Sequence, residues 1–272
     1  MKFSIVTSVY RNDKPEFVAR SLESITSLQT KQPDEVVLVV DGPIPTSLSK
    51  VIKQWETEKP IFKIIWLPEN KGLGNALRIG VETAKYDIVA RMDSDDVSLP
   101  DRFEKQLTYM ESHPDCDIIS GQITEFIDQE DNIVGKREVP CSNDEIYRLM
   151  KQRCGLNHVA VMFRKSKILE VGNYIDWHYN EDYYLWIRLM ETGCHFANLQ
   201  DILVNVRVGK DMYARRGGWK YFQSEKGLQD YMYKRKMITL PQYIFNVTVR
   251  FGVQVVLPNK IRGFIFQKLF RK

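Results

Sequence analysis

Three carboxylates stand within four residues at Asp93, Asp95 and Asp96, inside the segment Ala90-Arg-Met-Asp-Ser-Asp-Asp-Val-Ser-Leu-Pro-Asp-Arg102. Crowding of like charges is unfavourable unless a cation or hydrogen-bond donors compensate. Hard oxygen ligands in such a cluster suit Mg²⁺ or Mn²⁺ bridging a diphosphate. A solvated turn with one aspartate capping the following helix is the competing reading. A second acidic pair, Glu181-Asp182, opens a stretch with Leu185, Trp186 and Leu189 on one helical face. At a helix start such charges are favoured by the helix dipole alone. A carboxylate there is equally suited to accept a proton.

These residues need a frame, and the first half of the chain supplies a regular one. Short strand-like runs over Phe3–Val9, Glu35–Val40, Phe62–Leu67 and Tyr86–Met92 alternate with helical spacing over Glu16–Leu28, Leu48–Trp55 and Gly72–Ala84. The run Glu-Val-Val-Leu-Val-Val is nearly all apolar, as expected of a strand buried on both faces. This alternation predicts a mostly parallel, doubly wound α/β sheet. Ligands of such sheets bind beyond the carboxyl ends of the strands, which is where the Asp93–Asp96 cluster falls. Beyond Asp101 the pattern is mixed: helices over Arg102–Ser112 and Asn143–Lys151, strands over Ile118–Ile127 and Val159–Arg164, a hairpin turn at Gln129–Asn132, and a helix from Glu181.

Composition narrows the function classes. The 272 residues carry a net charge of +4, yet from Lys210 onward there are 14 basic against 3 acidic residues, and before it 25 against 32. A basic tail on an acidic body points to an anionic partner, such as a phosphate-bearing acceptor or a lipid headgroup surface. Nothing in the tail resembles a base-reading module, so nucleic acid is not the expected partner. No apolar run approaches the roughly 18–20 residues that span a bilayer. The start reads as a first strand rather than a targeting segment, because its short apolar stretch is broken by Ser4, Thr7 and Ser8 and followed by Arg11. Cys116, Cys141, Cys154 and Cys194 form no CxxC pair, so free thiols and a cytoplasmic setting are expected.

The ordered set Phe3–Tyr10, Asp41-Gly42, Glu69-Asn-Lys-Gly-Leu-Gly74, Met92-Asp-Ser-Asp-Asp96 and Asn180-Glu-Asp-Tyr-Tyr-Leu-Trp186 resembles the family 2 glycosyltransferases of GT-A fold. It is most similar to bacterial members that build exopolysaccharide or O-antigen repeat units, over about residues 2–208. The resemblance implies a GT-A catalytic domain over 1–209, with a nucleotide-sugar half to about 100 and an acceptor half from 101, then a basic, largely helical extension over 210–272. It implies an inverting transfer from a UDP-sugar to a saccharide acceptor carried on a polyprenyl diphosphate, at the inner face of the cytoplasmic membrane.

Carried over residue by residue, the resemblance has Thr7, Ser8, Val9 and Tyr10 cradle base and ribose, and Asp41 accept from the uracil imide. Lys71 and Gly72 approach the nucleotide. Arg78 stands where the family pattern often has Asn and is assigned to base or phosphate. Asp93 and Ser94 lie at the ribose, Asp95 holds the divalent metal (Mn²⁺ or Mg²⁺), and Asp96 stands behind them. Asp182, with Glu181 beside it, is the general base; Trp186 is assigned to the acceptor, and His158, before a strand on the acceptor side, could touch acceptor or donor phosphate or be a hydrogen-bonded structural histidine. Arg207, Arg215 and Arg216 surround a segment that could close over the diphosphate, and Tyr213 and Trp219 could stack on sugars. Over Lys260–Lys272, Ile261, Phe264, Ile265 and Leu269 recur at helical spacing among basic residues, which fits either an anionic membrane interface or packing on the body. A nucleotidyltransferase and a non-catalytic sugar-nucleotide-binding scaffold remain the alternative readings.

Overall fold

The computed structural model describes residues 1–209 and 217–257. The expectations placed on Tyr213, Arg215, Arg216 and the 260–272 segment lie outside the described residues.

Strands β1 (Phe3–Val9), β2 (Glu35–Val40), β3 (Phe62–Trp66) and β4 (Ile88–Arg91) run parallel in the order β3-β2-β1-β4. Helices α1 (Pro15–Ser24), α2 (Thr46–Glu58) and α3 (Leu73–Thr83) make the crossovers. The apolar run of β2 explains itself here: Val36, Leu38 and Val40 enter one core cluster, and Val37 and Val39 enter the other, so both faces are dry. The parallel register leaves the carboxyl ends of β1, β2 and β4 side by side, with Val9 opposite Val40.

After β4 come β5 (Val97–Ser98), α4 (Arg102–Ser112), β6 (Ile118–Phe126), β7 (Ile133–Arg137) and α5 (Asn143–Met150). They are followed by a 3₁₀ turn (His158–Ala160), β8 (Met162–Arg164), α6 (Lys165–Glu170), α7 (Glu181–Glu191) and β9 (Phe196–Arg207). The sheet continues from β4 through β8, β6, β9 and β5, and β7 pairs with β6 as a hairpin. β8 is antiparallel to both β4 and β6, whereas β9 runs parallel to β6. The predicted strand over 159–164 therefore starts as a 3₁₀ turn, and only Met162–Arg164 pair.

Arg102 sews the junction of the two halves. Its guanidinium is fully buried and donates to the carbonyls of Arg91 (2.8 Å) and Val161 (3.4 Å) and to Gln106 (3.2 Å). The end of β4, the approach to β8 and α4 are thereby held as one unit, directly beneath the acidic loop.

Two further helices, α8 (Trp219–Lys234) and α9 (Leu240–Phe251), precede a π-helical turn over Gly252–Val256. Leu228 and Met232 of α8 join the core cluster of Ile146, Met150 and Trp186. The start of α9 is set by a capping box between Thr239 and Gln242, with Pro241 in its first turn. The inward face of α9 is polar: Asn246 is buried and donates to the Lys151 carbonyl and to Gln229, both at 2.9 Å. Among the described residues no helix is long and apolar enough to cross a membrane.

Replacing Asn246 by Leu puts an apolar side chain at a buried helix position, yet it orphans the fully buried Gln229 carboxamide and a carbonyl. Asn246→Leu is expected to lower the unfolding free energy by about 1–3 kcal/mol in urea denaturation; a gain in stability would contradict this packing.

Candidate active site

The loop after β4 holds its acidic residues in three different environments. Arg91, the last residue of β4, is buried, and its guanidinium grips the Asp93 carboxylate in a fork, one arm at 2.7 Å. The Ser21 hydroxyl of α1 donates to the Asp93 carbonyl at 2.8 Å. Asp96 is buried, and its carboxylate accepts the backbone N–H of Arg207 at 2.8 Å. The Arg207 guanidinium lies over the rings of Phe17 (3.8 Å) and Phe126 (4.5 Å) and donates to the Asp95 carbonyl. Arg207 thus braces the acidic loop from behind.

Asp95 is the exposed member. The protein packed around its carboxyl, then the charges of Asp93 and Asp13, push its pKa up to about 6. Burial, then Asp93 and Asp95, hold the Asp96 carboxyl well above the usual carboxylate range. Asp13 joins the same cluster, accepting from the Tyr10 amide (3.0 Å) and the Ser94 hydroxyl (2.9 Å). Burial raises its pKa too, and the charge of Asp93 adds to the rise.

Such a set has uncompensated negative charge on its exposed side and attracts a cation. No three His, Cys, Asp or Glu side chains among the described residues converge into a closed metal cage. A hard divalent ion there would take Asp95 together with phosphate and water oxygens, a ligand set that Mg²⁺ accepts readily. The residues present therefore fit a substrate-bridging cation.

Beside this loop, the end of β2 closes on the turn before α3. The Asp41 carboxylate accepts the amides of Lys71 (2.7 Å) and Gly72 (3.0 Å), and the Asn70 carboxamide donates to its carbonyl (3.1 Å). Gly42 has φ +85°, and a Cβ there would sit 2.5 Å from the Asn70 nitrogen, so only glycine permits this approach. Asp41 is thus engaged in shaping the loop that carries Lys71 and Gly72. Thr7 and Val9 are buried within β1, Ser8 is half-buried, and Tyr10 is exposed at the strand end. Arg78 is exposed on α3, with Asn75 3.5 Å away.

The acidic loop opens onto a cleft that also receives α7. Asp93, Asp96, Arg91, His158, Glu181 and Asp182 all line it. Glu181 and Asp182 are the first residues of α7, where the helix dipole favours their charged forms. Burial works the other way and raises both pKa values, which makes either carboxylate a better proton acceptor than a free one. His158 Nδ1 is 3.9 Å from Asp182, beyond hydrogen-bond range, and its Nε2 meets the Tyr174 hydroxyl at 2.9 Å. Burial and the charge of Arg91 lower the His158 pKa well below its ordinary value. It is therefore a neutral wall residue at pH 7, and its approach to Asp182 is not an ion pair. Trp186, expected at the acceptor, is instead fully buried and stands edge-on behind His158, because α7 turns that face to the core.

Helix α8 shapes the loop before α7. The Ser224 hydroxyl donates to the His178 carbonyl (2.7 Å) and accepts from Asn180 (3.0 Å), while the Trp177 indole donates to the Ser224 carbonyl (3.1 Å). Tyr179, on the cleft wall, is held at φ +76°, a conformation costly for a bulky side chain.

Arg91, Asp13 and Ser224 were missed in the sequence. Arg91 had a signal, since a charged residue in a wholly buried strand demands a partner. Ser224 had none, being 43 residues from the helix start that it braces.

The acidic cluster makes a stability prediction. Folding raises the Asp95 pKa from 3.8 to about 6, so its penalty is absent below both values and grows as pH rises through them. In EDTA at pH 7, Asp95→Asn is expected to melt roughly 2 °C above the parent, after allowance for solvent screening at this exposed group, with the gap closing near pH 4. Equal melting across that range would contradict the crowding.

Comparison with known proteins now places the chain. Residues 4–172 match the family model described as Glycosyl transferase family 2. The chain is 39% identical over 269 residues to the amylovoran biosynthesis glycosyltransferase AmsE of Erwinia amylovora, covering 98% of each. It is 36% identical over 271 residues to an Escherichia coli UDP-Gal:α-D-GlcNAc-diphosphoundecaprenol β-1,3-galactosyltransferase, covering 100% of this chain and 97% of that protein. Among solved structures, S. aureus TarS superposes with a TM-score of 0.63 at 16% identity, over 85% of this chain and 40% of that longer one. The sheet order, the loop after β4 and these matches agree: the chain is a glycosyltransferase of GT-A fold and belongs to glycosyl transferase family 2.

Proposed function

We propose that this glycosyltransferase moves a sugar from a UDP-sugar to a hydroxyl of a lipid-linked saccharide during bacterial surface-polysaccharide synthesis, with inversion at the anomeric carbon. One observation carries the reading: the arginine-held acidic loop and the acidic start of α7 open onto a single cleft. The E. coli relative's name specifies a UDP-sugar donor and a diphosphoundecaprenol-linked acceptor, and the Erwinia relative's name specifies amylovoran biosynthesis. Both support the donor and acceptor classes assigned here, and such an acceptor would draw the enzyme to the inner face of the cytoplasmic membrane.

In this mechanism Asp93, oriented by Arg91, accepts from the ribose hydroxyls. Tyr10, Ser94 and the Asp41-braced turn at Lys71 and Gly72 border the nucleotide. Asp95 would hold a divalent cation, which when bound would supply Lewis-acid stabilisation of the charge that develops on the departing diphosphate. Asp182 takes the proton of the acceptor hydroxyl as that oxygen attacks the anomeric carbon and the bond to UDP breaks. Burial raises its proton affinity, which suits that role, and the α7 dipole favours its charged form. Glu181 packs against Gly74, where a Cβ would approach its Cγ to 3.0 Å, so it braces the contact between α3 and α7.

The decisive variant is Asp182→Asn, which keeps shape and removes the base. With a UDP-hexose panel and a matched acceptor, its kcat is expected to fall by about 10²–10⁴-fold, with UDP affinity unchanged. Turnover within a few-fold of the parent would remove Asp182 from the mechanism, and a product with retained anomeric configuration would remove single displacement.

A further inference from the structure

Helix α9 is turned inside out. Its buried side carries Asn246, and Arg250 on the same side pairs with Glu225 of α8 and donates to the Gln152 carbonyl. These bonds fix the rotation of the helix about its axis. Its outer side is mainly apolar: Leu240, Ile244, Phe245 and Val249 are all exposed, Phe245 by 66%, with Thr248 among them, and Val256 beyond them is exposed by 63%. A lone exposed leucine is ordinary, but a contiguous apolar stripe held outward by hydrogen bonds marks a contact surface.

The charge balance of the sequence that carries the stripe points to what covers it. From Tyr231 to Lys272 the sequence contains no Asp or Glu, and nine Lys and Arg. Lys234 at the end of α8 and Arg235 and Lys236 on the turn that leads into α9 are exposed, and the sequence from Lys260 to Lys272 holds five more basic residues. Exposed apolar side chains next to a basic turn, where Arg235 also pairs with Glu191, are complementary to the headgroup and acyl boundary of an anionic bilayer.

The stripe also leads to the cleft. Phe251 at the end of α9 meets Phe222 (ring centroids 5.5 Å apart), beside Trp219, which is 56% exposed. In the same turn of α8, Tyr221 contacts Tyr179 (5.5 Å), a residue of the cleft wall. Exposed aromatic residues of this kind favour the membrane–water interface.

We propose that the outer face of α9, continued by Trp219, is the surface on which this enzyme sits against an anionic lipid bilayer, so that the cleft opens at the membrane. This rests on the reading of the acceptor as lipid-linked. It assigns the contact to α9, whose described face is already built for it.

Vesicle flotation of the full chain tests it, with phosphatidylcholine alone and with added phosphatidylglycerol, and with the exposed double variant Ile244→Ser/Phe245→Ser. The parent is expected to float with the anionic vesicles and to be released by salt. The double variant is expected to bind at least about tenfold more weakly, with unchanged melting temperature. A parent that ignores both vesicles would overturn the proposal, as would a double variant that floats like the parent, since attachment would then lie elsewhere. A double variant that changes only self-association in sedimentation velocity would assign the face to a second copy and equally overturn it. UDP titration of the same samples separates this from the transferase reading: retained UDP binding confines a failure to the membrane face, whereas a parent that binds no UDP fails the donor site instead.

Discussion

Arg91 sits at the last position of a buried strand, and its guanidinium has a carboxylate in its fork and Arg102 beneath its carbonyl. A buried cation is costly unless paired, and a crowd of carboxylates is costly unless neutralised. Each problem answers the other. The cation fixes Asp93, the amide of Arg207 satisfies Asp96, and Asp95 is left facing outward with its charge poorly compensated. The rest of this end of the sheet is arranged around that imbalance. Asp13 and Ser94 tie the loop after β1 to it, and Asp41 draws in the turn before α3.

The second half of the sheet exists, in functional terms, to bring α7 to the same cleft. Strand β8 joins β4 in the antiparallel sense, and the 3₁₀ turn before it delivers His158 beside Asp182. Trp186 fills the space behind that histidine from the core side. The loop leading into α7 holds a strained tyrosine and keeps its shape through Ser224. Helix α8 is therefore part of the cleft's support, and Leu228 and Met232 anchor it in the same core as Trp186.

The first half of this frame was legible in the residues because its signals are local. A five-residue apolar run in β2 can be satisfied only between two layers, and the glycine and proline after Asp41 must end it. Strand β9 was not legible. Its polar residues Asn198, Gln200, Asp201 and Asn205 break the alternation, and its pairing with β6 shifts register around Gln122. The place of the acidic loop at the end of β4 followed from residue type and spacing, but the separate surroundings of its three aspartates did not. Which aspartate is clamped, capped or open depends on Arg91, the Arg207 amide and Asp13, contacts spread over more than a hundred residues of sequence. The polar interior of α9 was equally hidden, since an asparagine among apolar residues reads as the outward side until Gln229 and Lys151 are seen beneath it.

The central claim is that the open carboxylate at the end of β4 creates a metal-dependent site for a nucleoside diphosphate. Calorimetric titration with UDP, first with Mn²⁺ and then with EDTA, tests it most directly. The account predicts saturable UDP binding that weakens at least about tenfold when the metal is withdrawn, with the metal dependence abolished in Asp95→Ala. A folded sample that binds UDP equally with and without metal, or not at all, would contradict it.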